Sequence, residues 1–154
     1  MKQRPIKFKQ VIWDYDKDIL LEIHGWGFID ETFISPVTSG VDPEHNYQSY
    51  QFTGLLDKNG KEIYEGDIVK VPVEINQDTF GEYSYREIKF NNGGFYSSYL
   101  NSQKGQIMPR GYTASFIIEE PDIDIKLMLW SEEPRKIDNF EVIGDIYSNP
   151  ELLK

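Results

Sequence analysis

The segment from residue 51 to residue 71 constrains the fold of this chain more than any other. Two strand-like runs within it are joined by a turn that contains Asn59 and Gly60, and both residue types adopt positive φ at little cost. A second turn follows at Gly66 and Asp67, immediately before another apolar run. The pattern predicts short strands connected by tight turns, and it indicates a fold rather than a reaction.

The aromatic content supports a β-rich fold. The chain has 154 residues, of which 10 are Tyr and 9 are Phe, and they fall in short alternating runs. This length is sufficient for one ordinary domain, or for a barrel with a smaller appended unit. Alternation and turn signals predict strands over residues 6–13, 19–24, 47–52, 80–90, 95–100, 112–118, 122–130 and 140–146.

The stretch between residues 25 and 46 carries weaker strand signals, because Gly and Pro interrupt it. We therefore predict an N-terminal β-hairpin extension and loop over residues 1–46. Several short strands separated by turns predict a small barrel or sandwich over residues 47–154. At the other end of the chain, Asn149 and Pro150 are typical of a helix start, which predicts a short C-terminal helix.

Two sequence blocks carry a family resemblance. Residues 51–71 resemble the hallmark of the YopX-like proteins, which are encoded by bacteriophages and prophages, and residues 140–153 resemble the closing motif of that family. A weaker match covers residues 6–8 and 13–14. The resemblance implies an SH3-like barrel, in which residues 66–69 would begin a strand after a tight turn. It implies a phage or prophage setting and no particular activity.

Charge and composition limit the classes of function. The net charge is −10, and such a negative field repels phosphate backbones, so binding to duplex nucleic acid is disfavoured. The absence of Cys excludes disulfides and thiolate chemistry. No apolar run approaches the roughly 20 residues that span a membrane, so we expect a cytoplasmic protein without membrane contact. We expect no cofactor.

One arrangement is compatible with metal-dependent hydrolysis. Asp67 together with Glu87 and Lys89 could form the Asp…Glu-x-Lys set with which many nucleases hold a divalent metal. Because Asp, Glu and Lys are common residue types, this match is a weak signal of a metal site. The favoured alternative is that Glu87 and Lys89 lie on a strand face beside Arg86 while Asp67 caps a turn.

Other catalytic patterns are weak. The acids at positions 14, 16 and 18 resemble the start of a calcium loop, but Ile19 and Gly25 stand where that loop needs Gly and Glu. Glu62, Glu65 and Asp67 could supply an acid–base pair, but Gly66 indicates a turn here. The favoured role of these carboxylates is to accept hydrogen bonds from turn amides and to keep the strand edge soluble. His24 and His45 lie in no recognisable triad pattern.

An aromatic and basic region is the main candidate for a binding surface. Aromatic side chains interleaved with cations on a small barrel can bind single strands or peptides, although such rings also fill cores and cover strand faces. The candidate residues are Tyr83, Tyr85, Arg86, Lys89, Tyr96, Tyr99, Arg110 and Tyr112.

These observations lead to three hypotheses of function. The first is a non-enzymatic phage accessory protein that acts through protein contacts, with a host factor or with another copy of itself. The second is single-stranded nucleic-acid binding through residues 83–112, and the third is metal-dependent hydrolysis. We assign an architectural role to the motif residues Asn59, Gly60, Gly66, Asp67, Asn149 and Pro150.

Overall fold

The computed structural model describes residues 6–17, 19–29, 31–37, 45–72, 83–91, 94–100 and 135–153. These residues form ten strands and a terminal 3-10 helix: β1 (Lys7–Asp14), β2 (Leu20–Ile29), β3 (Thr32–Ile34), β4 (His45–Leu56), β5 (Glu62–Tyr64), β6 (Asp67–Pro72), β7 (Tyr83–Asn91), β8 (Gly94–Tyr99), β9 (Arg135–Lys136), β10 (Glu141–Asp145) and the helix Pro150–Leu153. No helix in these ranges has the length and apolar character needed to cross a membrane.

The first sheet has six strands and is built around β1. The order is β3-β2-β1-β4-β5, with the two-residue strand β9 parallel to β4 and the other pairs antiparallel. Gly27 of β2 has φ +113°, and a Cβ there would lie 2.1 Å from the carbonyl oxygen of Ile6. Only glycine therefore permits this close approach between β2 and the chain entering β1.

The second sheet has four antiparallel strands in the order β10-β6-β7-β8. Strand β6 begins directly at the second turn of residues 51–71, which we call the signature segment, and β10 belongs to the closing motif, residues 140–153. Because β10 pairs with β6, the two motifs that carry the family resemblance are neighbours in one sheet, although about half of the chain separates them.

The main core lies between the two sheets. Its buried members come from β4 and β5 of the first sheet, from β6, β7 and β8 of the second, and from the residue before β10: Leu55, Ile63, Val69, Val71, Ile88, Phe95 and Phe140. A second buried cluster joins β1 and β4 to the C-terminal turn through Val11, Tyr50 and Tyr147. The N-terminal strand β1 thus shares buried apolar contacts with β4 and with the closing motif.

Most of the described strands match the sequence prediction, and the fold is mainly β with two sheets. The predicted N-terminal hairpin is confirmed, with β2 continuing to Ile29. The predicted terminal helix is a single 3-10 turn. No strand pair joins the two sheets within the described ranges, and the SH3-like barrel stays a prediction.

The division of the chain at residues 46 and 47 also stays a prediction. Strand β4 runs across this point and pairs with β1 from Asp14↔His45 to Phe8↔Gln51. The predicted strands 112–118 and 122–130 lie outside the described residues, as do Arg110 and Tyr112.

Candidate functional site

The first signature turn is organised by Asp57, which is 1% exposed. Its Oδ1 accepts hydrogen bonds from the N–H groups of Asn59 and Lys61 at 2.8 Å each, and its Oδ2 accepts one from the N–H of Val142 at 3.0 Å. Burial alone would raise the pKa of Asp57, but these three backbone donors outweigh burial and hold the pKa below its ordinary value. Gly60 completes the turn with φ +83°.

The signature segment also bonds to the closing motif through its backbone. The N–H of Lys58 donates to the carbonyl of Phe140 at 2.8 Å, and the Lys58 ammonium lies 2.6 Å from Glu141 Oε2. At the second turn the N–H of Ile146 donates to the carbonyl of Gly66 at 2.9 Å. Both family motifs therefore form one architectural unit.

The closing motif ends in a compact turn around Asn149. Its side-chain Oδ1 accepts a hydrogen bond from the N–H of Asp145, and its carbonyl accepts one from Leu152 within the 3-10 helix that Pro150 begins. A Cβ at Gly144 would lie 2.6 Å from Asn149 Oδ1. The role of Asn149 and Pro150 is thus the local fold of the chain end.

A charged pair lies at the contact between the N-terminal hairpin and the signature segment. Lys9 Nζ on β1 is 3.2 Å from Oδ1 of Asp67, which is 1% exposed, and lies 4.3 Å from the centre of the Tyr64 ring. The N–H of Tyr64 donates to Asp67 Oδ2 at 2.8 Å. Burial raises the pKa of Asp67 to about 6; Lys9 and the Tyr64 N–H lower it, and the neighbouring charge of Asp145 raises it.

A second pair on the same side of β1 extends this contact. Lys7 Nζ is 2.6 Å from Glu62 Oε1, while the Tyr64 hydroxyl donates to Glu62 Oε2 at 2.7 Å. Burial and this carboxylate raise the pKa of Tyr64, so its phenol stays protonated and acts as a donor. Both cations of β1 are therefore held against the signature segment and do not face solvent freely.

Tyr147 of the closing motif lies in a second buried contact, with Val11 of β1 and Tyr50 of β4. Its ring lies 4.9 Å from that of Tyr50, and its hydroxyl is buried without a hydrogen-bond partner among the described residues. Burial, followed by the charges of Asp145 and Asp67, raises the pKa of Tyr147. Burial is also the largest cause that raises the pKa of Tyr50 to about 12. Neither phenol can serve as a base near neutral pH.

The residues predicted for metal-dependent hydrolysis have other partners. Asp67 is bonded to Lys9 and to the N–H of Tyr64, and Lys89 Nζ lies 3.3 Å from Glu87 Oε2 on the same strand. No group of three or more His, Cys, Asp or Glu side chains in the described part of the chain is arranged to hold a metal ion.

The predicted aromatic and basic surface divides between two faces of the second sheet. Tyr83, Tyr85 and Lys89 occupy alternate positions of β7, and Lys89 lies directly opposite Tyr96 of β8. Lys70 joins this face, with its Nζ 3.9 Å from the centre of the Tyr83 ring. These five side chains place aromatic and basic groups side by side.

Arg86 and Tyr99 lie on the opposite face, where they pair directly across β7 and β8. The guanidinium of Arg86 donates to Ser84, to Ser97 and to the Tyr99 hydroxyl, the last at 2.9 Å, and it stacks over the Tyr99 ring. Three of its N–H groups thus donate within the protein. Arg86 and Tyr99 do not belong to one surface with the other four described candidates.

The first sheet exposes a set of apolar side chains that the sequence reasoning missed. Phe28 of β2 and Phe33 of β3 face each other at 5.3 Å between ring centres, and they are 47% and 54% exposed. The next residue, Ile34, is 44% exposed, and strand alternation directs its side chain to the opposite face of the sheet. We call Phe28 and Phe33 the aromatic edge. Two residues before Phe28 on β2, the ring of Trp26 is stacked on that of Phe8, with 4.1 Å between ring centres.

The aromatic edge lies at one end of the first sheet, on the terminal strand β3 and its neighbour β2. Strand β3 pairs only with β2 among the described strands, and each of its three residues is exposed. The terminal strand on the other side, β5, is also three residues long, but two of its residues are buried. An apolar strand at a free sheet edge is a template for another strand and differs from scattered exposed side chains.

The sequence predicts no strand for the residues of this surface. Phe28 and Phe33 fall in the Gly-rich and Pro-rich stretch that we assigned to an extension and loop. The conformation of Gly27 allows β2 to continue past residue 24, and the pairing Phe28↔Phe33 follows from it.

Comparisons with known proteins place the chain in a family. The model of the YopX protein family matches residues 13–154. Among solved structures, the chain is similar to the crystal structure of protein EF1440 from Enterococcus faecalis, with 26% sequence identity, coverage of 96% of this chain and 98% of that one, and a TM-score of 0.41. None of the curated proteins matches the chain at a significant level. Since the family match spans nearly the whole sequence, the chain belongs to the YopX protein family.

Proposed function

We propose that the chain is a phage or prophage accessory protein that acts in the host cytoplasm through contacts with another protein and without catalysis. The observation that carries this proposal is the aromatic edge, where Phe28 on β2 and Phe33 on the terminal strand β3 are about half exposed. Large aromatic side chains at an open sheet edge are the usual anchors of protein interfaces. We also propose that residues 47–154 form an SH3-like barrel and residues 1–46 an extension.

The state of the titratable groups supports a role without catalysis. Asp57 and Asp67 accept backbone hydrogen bonds at turns, and the cations of β1 are paired with carboxylates. Each of these groups is engaged in a contact within or between elements, and none combines with a base and a free nucleophile into a reacting set.

The test is affinity capture from a host lysate with three forms of the protein. The variant Phe28→Ser/Phe33→Ser removes the aromatic edge, and Tyr15→Ser is the matched control because Tyr15 is an exposed aromatic residue, 69% accessible, in the β1–β2 turn. We expect the wild type and the control to recover the same specific partner at physiological salt, and the double variant to lose it. A partner recovered equally by all three forms would contradict the proposal.

A second candidate is single-stranded nucleic-acid binding on the second sheet. The favouring observation is the single face that carries Tyr83, Tyr85 and Tyr96 with Lys70 and Lys89. The test is a mobility shift of labelled single strands at low salt, with Tyr96→Ala and Lys89→Gln as variants. Absence of any shift at low salt would reject this candidate.

A further inference from the structure

We propose that the occupant of the aromatic edge is an extended segment of a partner protein, rich in Lys or Arg and in apolar residues, which adds to β3 as a further strand. This inference rests on the proposed function and specifies the chemistry of the partner. Three observations carry it: the edge of β3 that pairs with no other described strand, the exposed apolar side chains and the charge of the surrounding sequence.

The free edge favours an extended segment over a folded surface. Strand β3 pairs with β2 through Gly27↔Ile34, Phe28↔Phe33 and Ile29↔Thr32, and no other described strand pairs with it. Its outer side can therefore exchange backbone hydrogen bonds with an added strand, as in other cases of strand addition. On the same side of the sheet, away from β1, residues Leu20 to Trp26 of β2 pair with no strand among those described.

The apolar side chains determine which residues such a strand must carry. Phe33 and Phe28 are already paired with each other and still leave about half of their surfaces in water. An apolar side chain at alternate positions of the added strand would cover these rings, while the intervening side chains would point away. The partner segment therefore alternates apolar and polar residues.

The charge of this part of the chain indicates which polar residues the partner segment carries. Residues 18–56 contain six acids, Asp18, Glu22, Asp30, Glu31, Asp42 and Glu44, and no Lys or Arg. Of these, Glu22 and Glu31 are exposed in the structure. The two cations of β1, Lys7 and Lys9, are paired with Glu62 and Asp67. The exposed Glu22 and Glu31, in a stretch of sequence without Lys or Arg, attract basic segments and repel acidic ones.

The experiment measures binding of labelled peptides by fluorescence anisotropy. The main probe is a peptide of ~9 residues, the length of an ordinary strand, in which lysine alternates with valine and phenylalanine. A second probe has glutamate in place of lysine. A third is the basic peptide with alternate backbone nitrogens methylated, which removes the donors that strand pairing needs. The protein forms are the wild type, Phe33→Ser and Tyr15→Ser.

We expect the basic peptide to bind the wild type and Tyr15→Ser with equal affinity, and Phe33→Ser at least about tenfold more weakly. The glutamate and N-methylated peptides should each bind at least about tenfold more weakly to the wild type. Binding that is unaffected by N-methylation or by Phe33→Ser would overturn the inference, because it would reflect general attraction to an acidic protein.

Two further results separate this inference from the proposed function. If lysate capture depends on the aromatic edge but no basic peptide binds, the protein contact stands and the occupant proposed here is wrong. If the wild type forms dimers that Phe33→Ser dissociates in sedimentation experiments, and the peptides do not compete, the occupant is a second copy of the chain and the inference is likewise overturned.

Discussion

The substitution Asp67→Asn tests how the charged contact between β1 and the signature segment works. Two effects oppose each other at Asp67: burial disfavours its charge, whereas Lys9 at 3.2 Å favours it. Burial prevails, and the pKa rises from its ordinary value of 3.8 to about 6. A carboxyl group with a raised pKa binds its proton more tightly in the folded state, so folding loses stability as the pH rises through this interval.

The magnitude follows from the two pKa values. The gap between 3.8 and about 6 corresponds to about 3 kcal/mol in the free energy of unfolding, of which about 2 kcal/mol falls between pH 4.5 and 7.5. Asparagine does not titrate, so its new contacts with Lys9 shift the stability of the variant by an amount that changes little with pH. The pH dependence of the difference therefore isolates the carboxyl group of Asp67.

The assay is urea unfolding of the wild type and Asp67→Asn at several pH values from 4.5 to 7.5. We expect the variant to gain about 2 kcal/mol relative to the wild type across this interval. A difference of the opposite sign, with the wild type gaining as the pH rises, would show that the ion pair with Lys9 outweighs burial. A constant difference would also refute the reasoning.

Three other substitutions test the architectural assignments, each by urea unfolding at pH 7. Asp57→Ala removes the acceptor of three backbone N–H groups and should lower the free energy of unfolding by about 3 kcal/mol. A loss below about 1 kcal/mol would contradict that role. Gly66→Ala should cost more stability than its control Gly60→Ala. The backbone strain is similar, because φ is +80° at Gly66 and +83° at Gly60, but only at Gly66 would the new Cβ meet neighbours, the side chains of Ile146 and Tyr50 at 3.3 Å. Equal costs would refute the packing argument. Tyr147→Phe removes a buried hydroxyl without a described partner and should stabilise by about 1 kcal/mol; a loss would reveal a bonded hydroxyl.

Local chemistry explains why much of the fold could be predicted. The turn at Asn59 and Gly60 depends on residues adjacent in sequence, and Gly60 has the expected positive φ. Alternation likewise placed β1, β7 and β10 close to their observed positions. What sequence did not indicate is the bond from Val142 to Asp57, because 85 positions separate the two residues and no local pattern records the contact.

The candidate binding surfaces were harder to predict for a different reason. Strand parity separates Arg86 from Tyr85 and Lys89, but their clustering in the sequence suggested a single surface. The aromatic edge was missed because its strands pass through a Gly-rich stretch, and the exposure of Phe28 and Phe33 depends on which strand ends the sheet. Sheet order is a property of the whole chain.

The central claim is that a partner strand binds at the aromatic edge. The most direct measurement is hydrogen exchange of the backbone amides with and without the basic alternating peptide, analysed residue by residue. The account predicts slower exchange in β3 and along the neighbouring edge of β2, with the β1–β2 turn around Tyr15 unchanged. Protection confined to β7 and β8, or no change in β3 under saturating peptide, would contradict it.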